Sequence, residues 1–148
     1  MSENNWVPIK IAILTVSDSR TEADDTSGDA LVSRLTEAGH KIAEKLILPA
    51  DKYKIREAVS RWIADVNVDV VISTGATGLT GRDITPEAVI PLFAKEIDGV
   101  GAMCRWVSYQ ELGASTIASR CEGGVAHRTF LFFLPGSTVA CRTGWGEV

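Results

Sequence analysis

The sequence predicts an α/β protein in which a mostly parallel sheet lies between two layers of helices. Three short runs rich in branched and aromatic apolar residues have the composition of strands that are buried on both faces, namely Ile9–Val16, Asp69–Ser73 and Thr129–Leu134. Segments with apolar residues at helical spacing separate the strand-like runs. Because strands that alternate with helices form β-α-β crossovers, we expect a three-layer α/β/α arrangement.

The first half of the chain contains two predicted strands and two predicted helices. Thr26 or Ser27 is in position to cap the helix after the first strand. Lys41–Leu48 predicts the second strand, and Asp51 is in position to cap the helix that follows it. The apolar residues that indicate the two helices are Ala30, Leu31, Leu35 and Ala38 in the first, and Ile55, Val59, Trp62 and Ile63 in the second.

The second half is predicted to supply a loop rich in glycine and threonine, followed by further helices. The third strand runs into this loop, residues 74–83, and Thr85-Pro86-Glu87 is then a typical helix start. We expect that helix to continue through Phe93. Another helix is expected within 97–120, and a last one from near Ser137.

Length, charge and composition exclude several classes of protein. A length of 148 residues predicts one domain spanning residues 1–148. The formal net charge of −4 argues against nucleic acid as the main partner, since phosphate backbones are met by clustered Lys and Arg. No apolar run approaches the ~20 residues of a membrane span, and the first residues lack a signal-peptide core. We therefore expect a cytoplasmic protein that does not bind a membrane.

Four polar loops follow the predicted strands and should meet at the carboxyl edge of the sheet, where ligands bind in such folds. They are Ser17-Asp18-Ser19, Pro49-Ala50-Asp51, Thr74–Asp83 and Pro135-Gly136-Ser137. In the third loop, Gly75 and Gly78 allow close approach of the backbone, so that successive N–H groups can form a concave anion site. Thr74 and Thr77 add hydroxyl donors. The alternative is that the glycines only make a tight turn.

The acidic residues near these loops are the candidates for metal binding. Asp83 ends the loop, where a carboxylate can hold Mg²⁺ that bridges phosphate oxygens; the alternative is that it stabilises the start of the next helix. Asp51 has similar alternatives, and capping is favoured for it. Asp24 and Asp25 are predicted to be solvated loop residues.

Four long motifs, in this order along the chain, carry a resemblance to a known family. They are AILTVSDSR at Ala12–Arg20, DDTSG at Asp24–Gly28, STGATGLTGRDITPEA at Ser73–Ala88 and LPGSTVACRTGW at Leu134–Trp145. From Ile9 to Trp145 the chain resembles the MoaB/MogA family of molybdenum cofactor biosynthesis proteins, and most closely its MoaB members. The resemblance implies the three-layer fold of molybdopterin-binding domains.

The resemblance also implies ligands and an assembly. Members of the family bind molybdopterin, a pterin with a dithiolene and a terminal phosphate, and form trimers or hexamers. In the catalytic members, ATP and Mg²⁺ adenylylate that phosphate and pyrophosphate is released. For this chain the resemblance implies molybdopterin and ATP as substrates, Mg²⁺ as cofactor, and a homotrimer or homohexamer.

Matched position by position, the resemblance assigns roles to particular residues. Asp83 is implied to bind Mg²⁺ and to take part in catalysis, and Asp51 is implied to act beside it. The residues implied to bind substrate are Ser17 and Asp18 after the first strand, Thr74, Gly75, Ala76, Thr77 and Gly78 in the Gly/Thr loop, and Gly136 and Ser137 after the last strand.

One residue departs from the family pattern, and two functions stay open. Ala76 stands where the family's TGGTG sequence has its second glycine, and its methyl group costs about 1–2 kcal/mol if the position requires a positive φ. An adenylyltransferase is favoured because Asp83 and Asp51 are both present. The alternative is a non-catalytic carrier or regulatory paralogue that binds molybdopterin without transferring adenylate.

Overall fold

Strands and helices alternate along the part of the chain that the computed structural model describes, residues 8–19, 21–114 and 120–135. The strands are β1 (Lys10–Val16), β2 (Lys41–Leu48), β3 (Val70–Thr74), β4 (Lys95–Glu96), β5 (Glu122–Ala126) and β6 (Thr129–Leu134). The α-helices are α1 (Thr26–Glu37), α2 (Lys52–Ala64), α3 (Thr85–Val89) and α4 (Asp98–Leu112). None of these described helices is both long enough and apolar enough to cross a membrane.

The strands form one mixed sheet in the order β2-β1-β3-β6-β5-β4. β1 pairs in parallel with β2 and with β3, and β3 pairs in parallel with β6. β5 runs antiparallel to both of its neighbours, β6 and β4. The α/β fold with a mostly parallel sheet is therefore confirmed.

Helices cover both faces of the sheet, which gives the expected three layers. Successive residues of a strand point to opposite faces, so Ile11 and Ile13 of β1 pack with α1 and α4, whereas Ala12 and Leu14 pack with α2 and α3. Trp62 of α2 is the largest fully buried side chain of the core. Burial on both faces explains why these strands contain nearly continuous apolar residues.

The order of the strands places a topological switch point between β1 and β3. The chain leaves β1 through α1 to reach β2 on one side, whereas it leaves β3 towards β6, β5 and β4 on the other side. The connections of two neighbouring parallel strands thus part at their carboxyl ends. A crevice at such a point is where open α/β sheets bind ligands.

Strands β4 and β5 were not predicted from the sequence. Gly123 and Gly124 lie in β5, and glycine is depleted in strands. A Cβ on Gly123 would lie 2.7 Å from the side chain of Val100, and one on Gly124 would collide with the ring of Phe93. The glycines therefore let helix α4 and the Phe93 ring approach the sheet, a purpose that no local pattern reveals.

The helix after the Gly/Thr loop is shorter than predicted. α3 ends at Val89, a 3-10 turn follows at Ile90–Leu92, and Phe93 is extended with φ −72° and ψ 130°. Pro91 accounts for the difference, because proline lacks the N–H that an α-helix needs and its ring clashes with the preceding turn. The helix expected from near Ser137 lies outside the described residues.

Candidate ligand-binding site

Asp18 joins three loops at the carboxyl edge of the sheet. Its Oδ1 accepts a hydrogen bond from the backbone N–H of Ala50 at 3.0 Å. Its Oδ2 accepts two from Arg82, at 3.0 Å from Nε and 2.7 Å from Nη2. The Ala50 N–H and the Arg82 guanidinium favour the ionised carboxylate and hold the pKa of Asp18 below its usual range. The loops after β1, β2 and β3 therefore converge as predicted.

The chain after β6 reaches the same edge. Thr74 Oγ1, at the end of β3, donates a hydrogen bond to the carbonyl oxygen of Pro135 at 3.1 Å. Gly136 and Ser137, which are predicted to bind substrate, lie outside the described residues. Their role stays a prediction.

A cavity of about 190 Å³ lies between the carboxyl ends of β1 and β3, at the switch point. Its lining residues are Thr15, Val16, Ser17, Ser27, Thr74, Gly75 and Ala76. Because Ser27 belongs to the first turn of α1, the N-terminal end of that helix, which the Asp25 carboxylate caps, adjoins the cavity. Four of the residues predicted to bind substrate are thus brought together at the switch point.

Two larger depressions are poorer candidates. One of about 310 Å³ is lined by residues between 63 and 69 and by 127–129, and it contains none of the predicted site residues. The other, of about 580 Å³, is a groove between β2 and α2 that includes Asp51. Neither lies at the switch point beside the glycine-containing loop, so the larger volume of these depressions does not make them better candidates for the ligand site.

The backbone at Gly75 requires glycine. Its φ is 106°, and a Cβ there would collide with the carbonyl oxygen of Val16 at the end of β1. The peptide is held on both sides, because Gly75 N donates to Leu134 O at 3.0 Å and Gly75 O accepts from Thr85 Oγ1 at 2.9 Å. β1, β3, β6 and α3 thereby fix the start of the loop.

Ala76 has a φ of 57°, in the left-handed region. The position therefore favours the glycine that the family pattern has, and alanine costs about 1–2 kcal/mol there. The Ala76 carbonyl accepts a hydrogen bond from the Thr85 N–H at 3.0 Å, which keeps the loop against the start of α3. Ala76 is thus strained, and its carbonyl oxygen is held by the start of α3.

Asp83 is held by the loop that it ends. Its Oδ2 accepts from Thr80 Oγ1 at 2.7 Å and from Thr80 N at 3.0 Å. The Thr80 hydroxyl is the main cause of the lowered pKa of Asp83, to which the backbone N–H groups of Thr80 and Gly78 and the charge of Arg120 contribute. A Cβ on Gly78 would lie 2.8 Å from Asp83 Oδ2, so Gly78 allows the carboxylate to lie close to the loop.

Arg120 binds the other side of the same loop. Its Nε donates to the carbonyl oxygens of Thr77 at 3.0 Å and Gly78 at 2.9 Å, and its Nη2 donates to Asp83 O at 2.8 Å. It also forms a bidentate ion pair with Glu87 of α3, at 2.5 Å through Nη1 and 3.1 Å through Nη2. This guanidinium therefore joins the loop to α3.

Asp51 has a clear structural role. Its Oδ1 accepts from the backbone N–H groups of Tyr53 at 2.9 Å and Lys54 at 3.1 Å, which makes it the N-cap of α2. The capping prediction is confirmed. Its predicted part in catalysis stays a prediction.

Asp25 is not the solvated loop residue that was predicted. It is fully buried, caps α1 through a 2.9 Å hydrogen bond from Gly28 N, and accepts from Thr15 Oγ1 at 2.7 Å and from Lys45 Nζ at 2.9 Å. Burial alone would raise the pKa of Asp25, but these three donors outweigh it and the pKa is lowered. Thr26 and Ser27 were also wrongly expected to be the cap. Asp24 is exposed, as predicted.

Comparison with known proteins shows the family to which the chain belongs. The family described as "Probable molybdopterin binding domain" matches residues 12–148. The chain belongs to this family. It is 50% identical over 143 residues to molybdenum cofactor biosynthesis protein B of Escherichia coli K12, which covers 97% of this chain and 84% of that protein.

Solved structures agree with this family membership. A crystal structure of a molybdenum cofactor biosynthesis protein B has a TM-score of 0.93 at 42% identity and covers 96% of this chain and 89% of that chain. A MogA structure has a TM-score of 0.84 at 28% identity, and the match covers 93% of this chain and 91% of that chain. The resemblance to the MoaB/MogA family and the fold that it implies are confirmed.

In this member of the molybdopterin-binding family, several residues that shape the site were missed by the sequence reasoning. They are Arg120, Glu87, Thr80, Thr85 and the Asp25–Lys45 pair. Arg120 and Glu87 are 33 residues apart and belong to different elements, so no spacing rule connects them. For Asp25 a signal existed, since aspartate is among the preferred N-cap residues and Asp25 directly precedes the predicted start of this helix.

Proposed function

We propose that this protein acts in molybdenum cofactor biosynthesis and adenylylates the terminal phosphate of molybdopterin with Mg-ATP. One observation carries the proposal: a glycine-containing loop at the switch point of the sheet ends in an ionised carboxylate, Asp83, that the loop itself holds. Membership of the molybdopterin-binding family supports the identity of the acceptor. The names of the relatives, molybdenum cofactor biosynthesis protein B among them, support the pathway.

The proposed reaction needs positioning and charge stabilisation rather than a covalent enzyme intermediate. An oxygen of the molybdopterin phosphate attacks the α-phosphorus of ATP, a new P–O–P bond forms, and the bond to the β-phosphate breaks so that pyrophosphate leaves. Backbone N–H groups of the Gly/Thr loop are suited to hold the anions. Arg82 is exposed at the edge of the site, where it is paired with Asp18 and can bind an anion if that pair opens.

The residues present fit a magnesium ion that is shared with substrate phosphates. Mg²⁺ is commonly held by one or two carboxylates together with phosphate oxygens and water. Among the described residues no group of three or more His, Cys, Asp or Glu side chains is arranged to hold a metal ion, so a site made by protein alone is not expected there. Asp83 would hold the ion, which when bound would neutralise charge on the phosphates.

The test is a direct assay of adenylate transfer. Purified protein is incubated with molybdopterin, MgCl₂ and ATP labelled at the α-phosphate, and adenylylated molybdopterin and pyrophosphate are both quantified. We expect the two products in equal amounts and none when Mg²⁺ is removed by chelation. Absence of product under conditions where a known molybdopterin adenylyltransferase is active would reject the enzymatic proposal.

A non-catalytic molybdopterin carrier is the second candidate, and one observation favours it. Asp51, the second acid implied in catalysis, caps α2 through its Oδ1. Asp83 is then the one implied acid that is held by the Gly/Thr loop. Titration calorimetry separates the candidates. Molybdopterin binding without any affinity for Mg-ATP favours the carrier, whereas binding of both ligands favours the enzyme.

We also propose that the protein forms a homotrimer or homohexamer through the exposed face of α4. Met103, Trp106 and Tyr109 recur every three residues on this helix and are 48%, 63% and 61% exposed. Large aromatic residues on one exposed face are typical of interfaces.

The assembly is tested by light scattering at micromolar concentration. We expect a trimer or hexamer for the unmodified protein and a smaller species for Trp106→Glu. Val66→Glu is the control, because Val66 is an equally exposed apolar residue (73%) in the turn after α2. A stable monomer before any substitution would reject the proposed assembly.

A further inference from the structure

Arg120 holds the Gly/Thr loop through carbonyl oxygens, which determines where the N–H groups of the loop point. In a trans peptide the C=O and the following N–H point in opposite directions, and no described peptide bond is cis. Because the Thr77 carbonyl faces Arg120, the Gly78 N–H is directed away from the guanidinium. That N–H interacts with the Asp83 carboxylate.

The same guanidinium also binds the backbone of Asp83 itself. Nη2 donates to the Asp83 carbonyl at 2.8 Å, while Thr80 holds the side chain from the loop. The Arg120 guanidinium therefore binds both ends of the segment 77–83, which is the second part of the Gly/Thr loop. Fixing both ends limits the positions that the Asp83 carboxylate can adopt.

Glu87 determines the orientation of this guanidinium. Its two oxygens accept from Nη1 and Nη2, and planar bidentate pairs of this kind fix both the position and the plane of an arginine. The Arg120 side chain is 27% exposed, so the pair is partly shielded from water. A lysine offers one flexible ammonium group and cannot bind Glu87 and three carbonyls in one plane.

We propose that Arg120, oriented by Glu87, is a positioning residue that holds the Thr77–Asp83 loop and thereby places the Asp83 carboxylate for the Mg-nucleotide. The inference rests on the proposed function for the identity of that ligand. The contacts of Arg120 with the loop do not depend on it.

Hydrogen-exchange mass spectrometry of the unliganded protein provides the first test. In Arg120→Met we expect the amides of the loop, residues 77–83, to exchange faster, and in Arg120→Lys we expect most of the same increase. Glu87→Gln should produce part of the same increase, because its amide keeps one acceptor oxygen but loses the bidentate pair that orients the guanidinium.

Arg56→Met is the matched control. Arg56 also donates to backbone carbonyls of α3, those of Ala88 at 2.9 Å and Glu87 at 3.1 Å, but no hydrogen bond of the described structure joins it to the loop. We expect it to leave loop exchange unchanged. Equal exchange in Arg120→Met and Arg56→Met would overturn the proposal.

Ligand binding provides the second test. The probe is the Mg complex of α,β-methylene ATP, titrated by calorimetry into each folded variant. Groups that orient a metal ligand typically contribute about 10- to 100-fold in affinity, and we expect a loss in that range for Arg120→Met and for Arg120→Lys. Molybdopterin affinity should fall much less, so that in turnover kcat decreases while KM for the pterin changes little. Parallel losses for both ligands would contradict a positioning role.

The two tests separate this inference from the proposed function. If the unmodified protein transfers no adenylate but Arg120→Met still loosens residues 77–83 and Arg56→Met does not, the proposed function fails and the positioning of the loop stands. If the unmodified protein is active and loop exchange is the same in both arginine variants, the inference alone fails.

Discussion

Two ion pairs at the carboxyl edge of the sheet have similar lengths but differ strongly in their exposure to water. The floor of the site, defined as Thr15, Asp25, Gly28, Lys45 and Gly75, contains the Asp25–Lys45 pair, in which Asp25 is fully buried and Lys45 is 15% exposed. The rim, defined as Asp18, Ala50 and Arg82, contains an equally short pair whose side chains are 44% and 70% exposed.

The difference indicates which part of the site is rigid. A buried carboxylate is stable only when its partners are all in place, so the floor fixes the start of α1 and the ends of β1 and β2 relative to one another. An exposed ion pair contributes little to the free energy of unfolding, because water competes for both groups. We infer that the floor maintains the shape of the site and that the rim can rearrange when an anion binds.

Asp25→Ala should have the largest effect on stability. It removes the partner of a largely buried lysine and the cap of α1, and such substitutions cost about 3–5 kcal/mol. Asp29→Ala is the control, since Asp29 lies 4.0 Å from the same Lys45 Nζ but is 62% exposed; its cost should stay below about 1 kcal/mol. Urea unfolding measures both, and equal costs would show that the floor is not distinct from the surface.

The floor should also govern stability in acid. The pKa of Asp25 in the folded protein lies below its ordinary value of 3.8, so its stabilising contribution is present above that value and is lost as pH falls towards the folded pKa. We expect the free energy of unfolding to decrease below about pH 4, and this decrease to be smaller in Asp25→Asn. Urea unfolding from pH 6 downwards gives the slopes, and identical slopes would contradict the linkage.

Gly75→Ala should destabilise nearly as much, by about 3 kcal/mol, because it adds both backbone strain and a collision with Val16 O. Gly81→Ala, in the same loop, is the matched control, as no atom lies within 4 Å of the added Cβ. We expect its unfolding free energy to change by less than about 0.5 kcal/mol. A similar loss in both would mean that alanine is unfavourable throughout the loop.

Ala76→Gly tests the boundary between floor and rim. Relief of the left-handed conformation favours glycine by about 1–2 kcal/mol, and the greater freedom of the unfolded glycine chain offsets about 0.5–1 kcal/mol of it. Urea unfolding should therefore show a gain in the free energy of unfolding of up to about 1.5 kcal/mol. A loss of stability would show that Ala76 is not strained.

Arg82→Gln should have the smallest effect on folding. We expect no measurable change in the urea midpoint, because the pair with Asp18 is exposed. Loss of the Arg82 charge leaves the Asp18 carboxylate unpaired, which should weaken molybdopterin binding by about two- to fivefold at low salt and less at high salt. Calorimetry at two salt concentrations measures this, and a large fall in stability would make the rim part of the rigid structure.

The contrast between floor and rim also explains what could be predicted from sequence. Strands buried on both faces, such as β1, and polar loops that follow them are local patterns, and the convergence of Asp18, Ala50 and Arg82 follows from the parallel sheet. The identity of the site residues came from long motifs, which preserve order and spacing.

Long-range pairs could not be predicted in this way. The partners of Asp25 are residues 15 and 45, and those of Arg120 include Glu87, so the pairings arise only when the sheet is assembled. The charge of Asp25 even favoured the wrong prediction, because a lone aspartate is costly to bury and two of its donors, Thr15 and Lys45, belong to other elements. Strand β5 was missed for the same reason, because its glycines make room for Val100 and Phe93, which are distant in sequence.

Asp83→Asn tests the central claim most directly, by measuring adenylate transfer and molybdopterin affinity side by side. Asparagine keeps the size of the side chain and an oxygen for Thr80, but removes the charge that would hold Mg²⁺. We expect turnover to be lost while molybdopterin affinity changes little, with Asp98→Asn, an exposed acid in the first turn of α4, as the control. Full turnover in Asp83→Asn, or equal loss of turnover and binding, would contradict the claim that this carboxylate acts on the Mg-nucleotide.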